Sequence, residues 1–187
     1  MNWKSGIVME EFLWISSLMA VSLVCWWTDS SRLDLVRNIS EIEGGDYGRP
    51  GLSHVTVASS LRDGFDEVEV WLQTFGPGTR TPIHRHACEE VFVVLKGGGT
   101  LYLAAASSSD DRPGTPVGFP IGSNTTFRIP VNDVHQVWNT DEEQDLQFVV
   151  VISRPPVKVY TYQDWNTKHA EAKLMFPYHW DRNFFTP

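Results

Sequence analysis

The sequence predicts an all-β barrel, and three observations predict it. From Val55 onward, short β-rich segments recur at regular spacing between turn signals. Around residues 67–73 the apolar positions alternate with a period of two, the repeat of a strand. One stretch, Asp164 to Met175, reads as helical, and nothing else from Val55 onward does.

Taken in order, Val68, Val70 and Leu72 alternate with Glu67, Glu69, Trp71 and Gln73, so Trp71 and Gln73 leave the same face of one strand. Val91–Leu95 and Thr100–Leu103 flank Lys96-Gly-Gly-Gly99, which predicts a hairpin whose glycines supply positive φ. Ala104 to Gly118 is small, polar and proline-containing, and is expected to be a loop. Leu146 to Ile152 is a near-continuous β-rich run, expected to be a strand buried on both faces. Pro155-Pro156 halts it before a last β-rich segment, Val157 to Thr161. Asp164 to Met175 is expected to form a short C-terminal helix capped by Asn166 or Thr167. There is no internal repeat and no sign of a second domain.

At 187 residues, the chain is long enough to bury a core without crosslinks. Its 42% hydrophobic and 20% charged residues place it among globular proteins, not disordered ones. A net charge of −8, with no Lys/Arg cluster, argues against nucleic acid as a partner, because phosphate binding needs concentrated cations.

Phe12 to Trp27 is apolar apart from its serines. As a helix those residues rise about 24 Å, short of the ~30 Å hydrocarbon core. That length suits a signal-peptide core, with Lys4 as the positive flank; an uncleaved anchor or an amphipathic core helix are the alternatives. The expected division is a signal peptide over residues 1–30 and one domain, with an N-terminal arm and a C-terminal helix or tail, over 31–187. No stable membrane span is expected in the mature form. Asn124-Thr-Thr and Asn38-Ile-Ser are glycosylation sequons, and the first lies in a loop-like Gly-Ser-Asn stretch.

The segment with the most chemistry is Gly78-x5-His84-x-His86-x3-Glu90-x6-Gly97. His84 and His86 are two apart, so both imidazoles leave one strand face. His135, in Pro130-x-Asn132-x2-His135-x3-Asn139, is the fourth candidate. Three imidazoles and a carboxylate form a ligand set for a divalent transition metal, and on ligand chemistry alone zinc, iron and manganese all remain open.

These two segments resemble the two cupin motifs. The first is matched throughout; the second departs at Asn132, where cupins have glycine, and at Asn124, where the leading glycine would stand. Longer blocks carry the resemblance further: Glu67-Val-Glu-Val-Trp71-Leu-Gln73-Thr, Thr81-Pro-Ile-His-Arg-His, Cys88-Glu-Glu-Val-Phe92, Val131-Asn-Asp-Val-His-Gln-Val-Trp138-Asn, Ile152-Ser-Arg-Pro-Pro156 and Phe176-Pro-Tyr-His-Trp180-Asp181. From about Leu35 to Asp181 the chain looks like the plant auxin-binding protein family.

That resemblance implies a cupin double-stranded β-helix barrel (jelly-roll-like) with Zn2+ held by His84, His86, Glu90 and His135. It implies a non-catalytic, receptor-type protein that binds auxin (indole-3-acetic acid), whose carboxylate docks on the zinc. The ring would lie among Leu52, Trp71, Gln73, Thr81, Pro82, Val159, Tyr178 and Trp180. The alternatives are a manganese or iron cupin enzyme of the oxidase or dioxygenase type, or a structural cupin without a ligand. The resemblance also implies glycosylation at Asn124, a homodimer, and an arm-to-tail disulfide. The two disulfide positions fall on Asp29 and Phe184, and the two cysteines of the chain are Cys25 and Cys88, so that crosslink is absent. Arg49 replaces an aliphatic residue at the pocket edge. Family members carry a C-terminal Lys-Asp-Glu-Leu, whereas this sequence ends Phe184-Phe-Thr-Pro187. The expected location is the lumen of the endoplasmic reticulum, with secretion left open.

Overall fold

A computed structural model describes residues 36–104 and 111–185. The chain divides into two units, Met1–Asn38 and Ile39–Pro187, and everything below concerns the second. The apolar run Phe12–Trp27, the expected boundary after residue 30, Cys25 and Asp29 all lie outside the described residues. Among those that are described, no helix is long and apolar enough to cross a membrane.

The second unit is two antiparallel sheets facing one another. Its strands are β1 (Leu52–Ala58), β2 (Val68–Phe75), β3 (Ile83–His86), β4 (Glu90–Lys96), β5 (Gly98–Ala104), β6 (Val117–Gly122), β7 (Thr126–Ile129), β8 (Val134–Trp138), β9 (Leu146–Ser153), β10 (Val159–Tyr162) and β11 (Lys173–Met175). One sheet runs β1-β2-β9-β4-β7 and the other β11-β10-β3-β8-β5-β6. The inward faces of β2, β4 and β9 supply Trp71, Phe75, Phe92, Val94, Phe148, Val150 and Ile152 to one core between the sheets. This is the cupin barrel.

Four sequence expectations are corrected. Lys96–Gly99 is not a hairpin: β4 and β5 belong to different sheets, so the chain crosses the barrel there instead of turning back. Gly97 alone of these glycines has positive φ (76°) and makes the corner. Leu146–Ile152 is not buried on both faces. Buried and half-buried residues alternate along β9, and the half-buried ones, including Val149 and Val151, lie on the outer face. The expected C-terminal helix from Asp164 to Met175 is absent. The Asp164 side chain accepts hydrogen bonds from the Asn166 backbone N–H (2.8 Å) and the Thr167 hydroxyl (3.0 Å). Such local bonds compete with a helical backbone. The segment instead makes a 3-10 turn at His169–Glu171 and then adds β11 to the edge of β10. The expected loop Ala104–Gly118 is also shorter than its sequence suggested, because β6 begins at Val117.

Candidate metal centre

β3 and β8 meet at a single register pair, His84 opposite His135, and His86 lies two residues further along the same face of β3. The His84 and His135 ring centroids are 4.0 Å apart, and those of His86 and His135 are 5.0 Å apart. All three side chains are buried, and one ring nitrogen from each falls within 4.8 Å of the other two.

Backbone carbonyls set the orientation of every ring. His84 Nδ1 donates to the Pro82 carbonyl (2.9 Å), His86 Nδ1 to Cys88 (3.1 Å) and His135 Nδ1 to Asp133 (3.0 Å). Each carbonyl is two residues away in the chain, so the turns that flank β3 and β8 fix the tautomers. In all three rings Nδ1–H is used and Nε2 is turned inward, the arrangement that metal-ligating histidines show.

Local sequence builds those turns. Asn132 takes φ of 67°, which asparagine tolerates in place of the expected glycine. Its N–H donates to the His86 carbonyl (2.9 Å), tying the second motif to the first. After His86 the chain bends, so buried Cys88 offers its carbonyl to the site and its sulfur stays outside the ligating group. Glu90, first residue of β4, enters from the opposite sheet with Oε2 3.1 Å from His86 Nε2 and 3.3 Å from His135 Nε2. The second contact lacks hydrogen-bond geometry, so His135 Nε2 is buried without a partner among the described residues. A buried lone pair aimed at two other imidazole nitrogens and a carboxylate fits a divalent ion.

The charges of the site pair with one another. Burial raises the Glu90 pKa and lowers that of His86, but their mutual attraction overrides both. Glu90 is held well below the carboxylate range, and His86 is pushed up to about 10. His84 is driven well below its ordinary value by burial and by His135 and His86 beside it, so it stays a neutral donor.

A cavity of about 30 Å³ opens onto His84, His86 and Glu90. Of the eight residues expected around a ligand, Trp71, Gln73, Thr81, Val159, Tyr178 and Trp180 line it. Leu52 sits in the apolar core, and Pro82 lines a separate outer pocket. Arg49 lines both spaces, with its Nη2 donating to the Arg80 carbonyl (2.7 Å).

Two residues that support this site were not singled out from the sequence. His54 is fully buried and stacks on the Trp180 indole at 3.7 Å with a 14° interplanar angle. Gln73 Nε2 donates to His54 Nδ1 (2.9 Å), which leaves Nε2–H to donate to Thr56 Oγ1 (2.9 Å). Burial lowers the His54 pKa to about 3, keeping the ring neutral. Strand parity with buried Leu52 was the available signal. Glu69 is the other: it is fully buried, with Oε1 accepting from Trp71 Nε1 at 2.6 Å, and it fixes that indole. Its parity with Trp71 and Gln73 was the available signal.

Glu69 gives a pH prediction. Burial raises its pKa from 4.5 to about 7, so the folded protein holds this proton up to about pH 7 while the unfolded chain releases it near 4.5. Stability from this group is therefore present below pH 4.5 and is lost as pH rises to 7. In thermal melts, Glu69→Gln should gain on the parent across that window and stay level above it. A difference that is flat from pH 4.5 to 7 would mean that Glu69 is already ionised in the fold.

Comparison with known proteins gives the family and the fold. The family model described as auxin binding protein matches residues 28–187. Auxin-binding protein T85 of Nicotiana tabacum is 63% identical over 153 residues, covering 82% of this chain and 81% of that one. Auxin-binding protein 1 of Arabidopsis thaliana is 60% identical over 149 residues, covering 80% and 74%. Among solved structures, a sugar phosphate isomerase of the cupin superfamily from Silicibacter pomeroyi superposes with a TM-score of 0.53 at 17% identity, covering 75% of this chain and 91% of that one. That likeness is one of fold alone.

Proposed function

This chain belongs to the auxin-binding protein family, and from that premise we propose that it binds an auxin, indole-3-acetic acid or a similar aromatic carboxylate, without turning it over. The observation that carries the reading is the buried set of inward-turned Nε2 atoms and Glu90 at the floor of a cavity walled by Trp71, Tyr178 and Trp180. His84, His86, His135 and Glu90 would hold the ion, which we propose is zinc. When bound it supplies a Lewis-acidic dock for a carboxylate. Gln73, fixed by His54, presents an amide beside that dock, and the indoles offer faces for ring stacking worth about 0.5–1.5 kcal/mol beyond area burial.

The cavity now has room for about one or two waters. An indole ring enters only if a wall moves. Trp180 is the wall we assign, because it also lines a second pocket of about 390 Å³, which leaves space for the indole to swing away.

Calorimetric titration of indole-3-acetate into zinc-loaded and zinc-stripped protein tests the function. Binding is expected in the loaded form and at least about tenfold weaker in the stripped form. Equal binding would remove the metal from the reading, and consumption of the ligand, followed by chromatography, would replace a receptor-type protein with an enzyme.

We also propose passage through the secretory pathway into the endoplasmic reticulum lumen, with the apolar N-terminal segment as signal peptide and glycosylation at Asn124. Asn124 is exposed in a turn before β7. Secretory expression should give a glycosidase-sensitive mass that Asn124→Gln abolishes; an unchanged mass in the variant would place the glycan elsewhere. A homodimer is proposed through the outer face of β4, where Val91, Val93 and Leu95 are exposed. Light scattering of Val93→Glu should show a monomer, and a parent that is itself monomeric would contradict the dimer.

A further inference from the structure

Beyond the metal cavity, across the Arg49 and Thr81 side chains, lies an open pocket of about 580 Å³. That volume falls in the range of small-molecule sites. Its lining combines two guanidinium groups, Arg49 and Arg80, with four aromatic side chains, Tyr102, Trp138, Tyr162 and Trp165. Among the described residues no carboxylate lines it or pairs with either arginine.

The arginines are partly fixed. Arg80 stacks its guanidinium 4.5 Å from the centroid of the Trp138 ring, and Arg49 is anchored through one nitrogen on the Arg80 carbonyl (2.7 Å). Each keeps further N–H donors. A guanidinium fork matches a carboxylate with two parallel hydrogen bonds, and flat aromatic walls favour a flat ring. Isolated surface arginines would ask only for an anion. Arginines set among four rings ask for an aromatic one.

We propose that this outer pocket is a second, metal-independent binding site for planar aromatic carboxylates, with Arg49 and Arg80 taking the carboxylate and Trp138 and Trp165 facing the ring. Because Arg49 and Thr81 line both spaces, a ligand held here is one layer of side chains from the metal cavity. The site stands whether or not the inner metal binds the same ligand.

The test uses the full chain, stripped of metal and labelled with 15N, and follows the indole N–H signals assigned through Trp165→Phe and Trp138→Phe. Indole-3-acetate should shift both signals saturably. Its uncharged analogue, indole-3-ethanol, should bind at least about tenfold more weakly, as should indole-3-acetate to Arg80→Gln and Arg49→Gln variants that keep the parent's spectrum. Unmoved Trp138 and Trp165 signals would overturn the site, as would shifts that both arginine variants and the uncharged analogue reproduce. A parallel titration of the zinc-loaded protein separates the two readings: inner binding that needs zinc can fail while these outer shifts persist, or the reverse.

Discussion

His135→Ala is expected to lower metal affinity at least about 100-fold, since loss of a mere supporting contact to a metal ligand already costs about 10–100-fold. His135 is fully buried, and its Nε2 has no hydrogen-bond partner among the described residues. Alanine removes that donor, leaves a hole between His84 and Glu90, and removes the bond to the Asp133 carbonyl that held the ring. The effect also reads out as heat stability. Metal that binds only the folded state stabilises it by about 2.7 kcal/mol at a concentration 100 times its Kd, and the variant should lose that increment. Cys88→Ala is the control, because only the Cys88 carbonyl serves the site. Metal affinity within about twofold of the parent is expected there. Equal losses in the two variants would mean that the ligand set has been drawn wrongly.

Gly97→Ala should be the most damaging single change away from the centre. Gly97 has φ of 76°, and a Cβ there would sit on the Asp145 carbonyl oxygen, a backbone atom just before β9 that cannot swing aside. Left-handed backbone and overpacking each cost about 1–3 kcal/mol, so about 2–6 kcal/mol is expected together, or no folded protein. Gly78→Ala provides the comparison. Its φ is 73°, yet a Cβ would meet nothing within 4 Å, so only the backbone term of about 1 kcal/mol applies. Denaturant melts of both variants measure the difference. Equal costs would show that the crossing at Gly97 is looser than its geometry implies.

The contrast between those glycines explains how the sequence could be read and where it misled. Spacing alone put His84 and His86 on one face, because parity is local. It could not say whether Lys96–Gly99 folds back within a sheet or crosses between two, since a glycine corner looks the same in both. That choice belongs to the partners β4 and β5 find far along the chain, β9 and β7 for one, β8 and β6 for the other. The Asp164–Met175 misreading has the opposite origin. Asp164 and Thr167 close a local hydrogen-bonded turn, and the Tyr162 hydroxyl meets His169 Nδ1 at 2.7 Å, holding the segment for strand addition instead of a helix. Asn132 departed from the motif but kept its backbone shape, so the second motif still delivers His135.

The residues around the site follow the same division. Trp71 and Gln73 share the inward face of β2 as parity required, while Val68, Val70 and Leu72 lie half-buried on its outer side. Apolar patterning taken alone would have turned that strand the other way. His54 was given no role because its partner Trp180 reaches it only in the folded barrel, and Glu69 because parity puts it beside Trp71 without saying that their face is buried.

The proposed function requires a carboxylate to dock directly on a metal ion held by His84, His86, His135 and Glu90. Cobalt(II) in place of zinc makes that contact visible, because its ligand-field absorption changes when a ligand in its coordination sphere changes. Saturation with indole-3-acetate should alter the spectrum with one equivalent per site, and indole-3-ethanol should not. An unchanged spectrum at concentrations where calorimetry shows the ligand bound would contradict the claim and place the carboxylate elsewhere in the barrel.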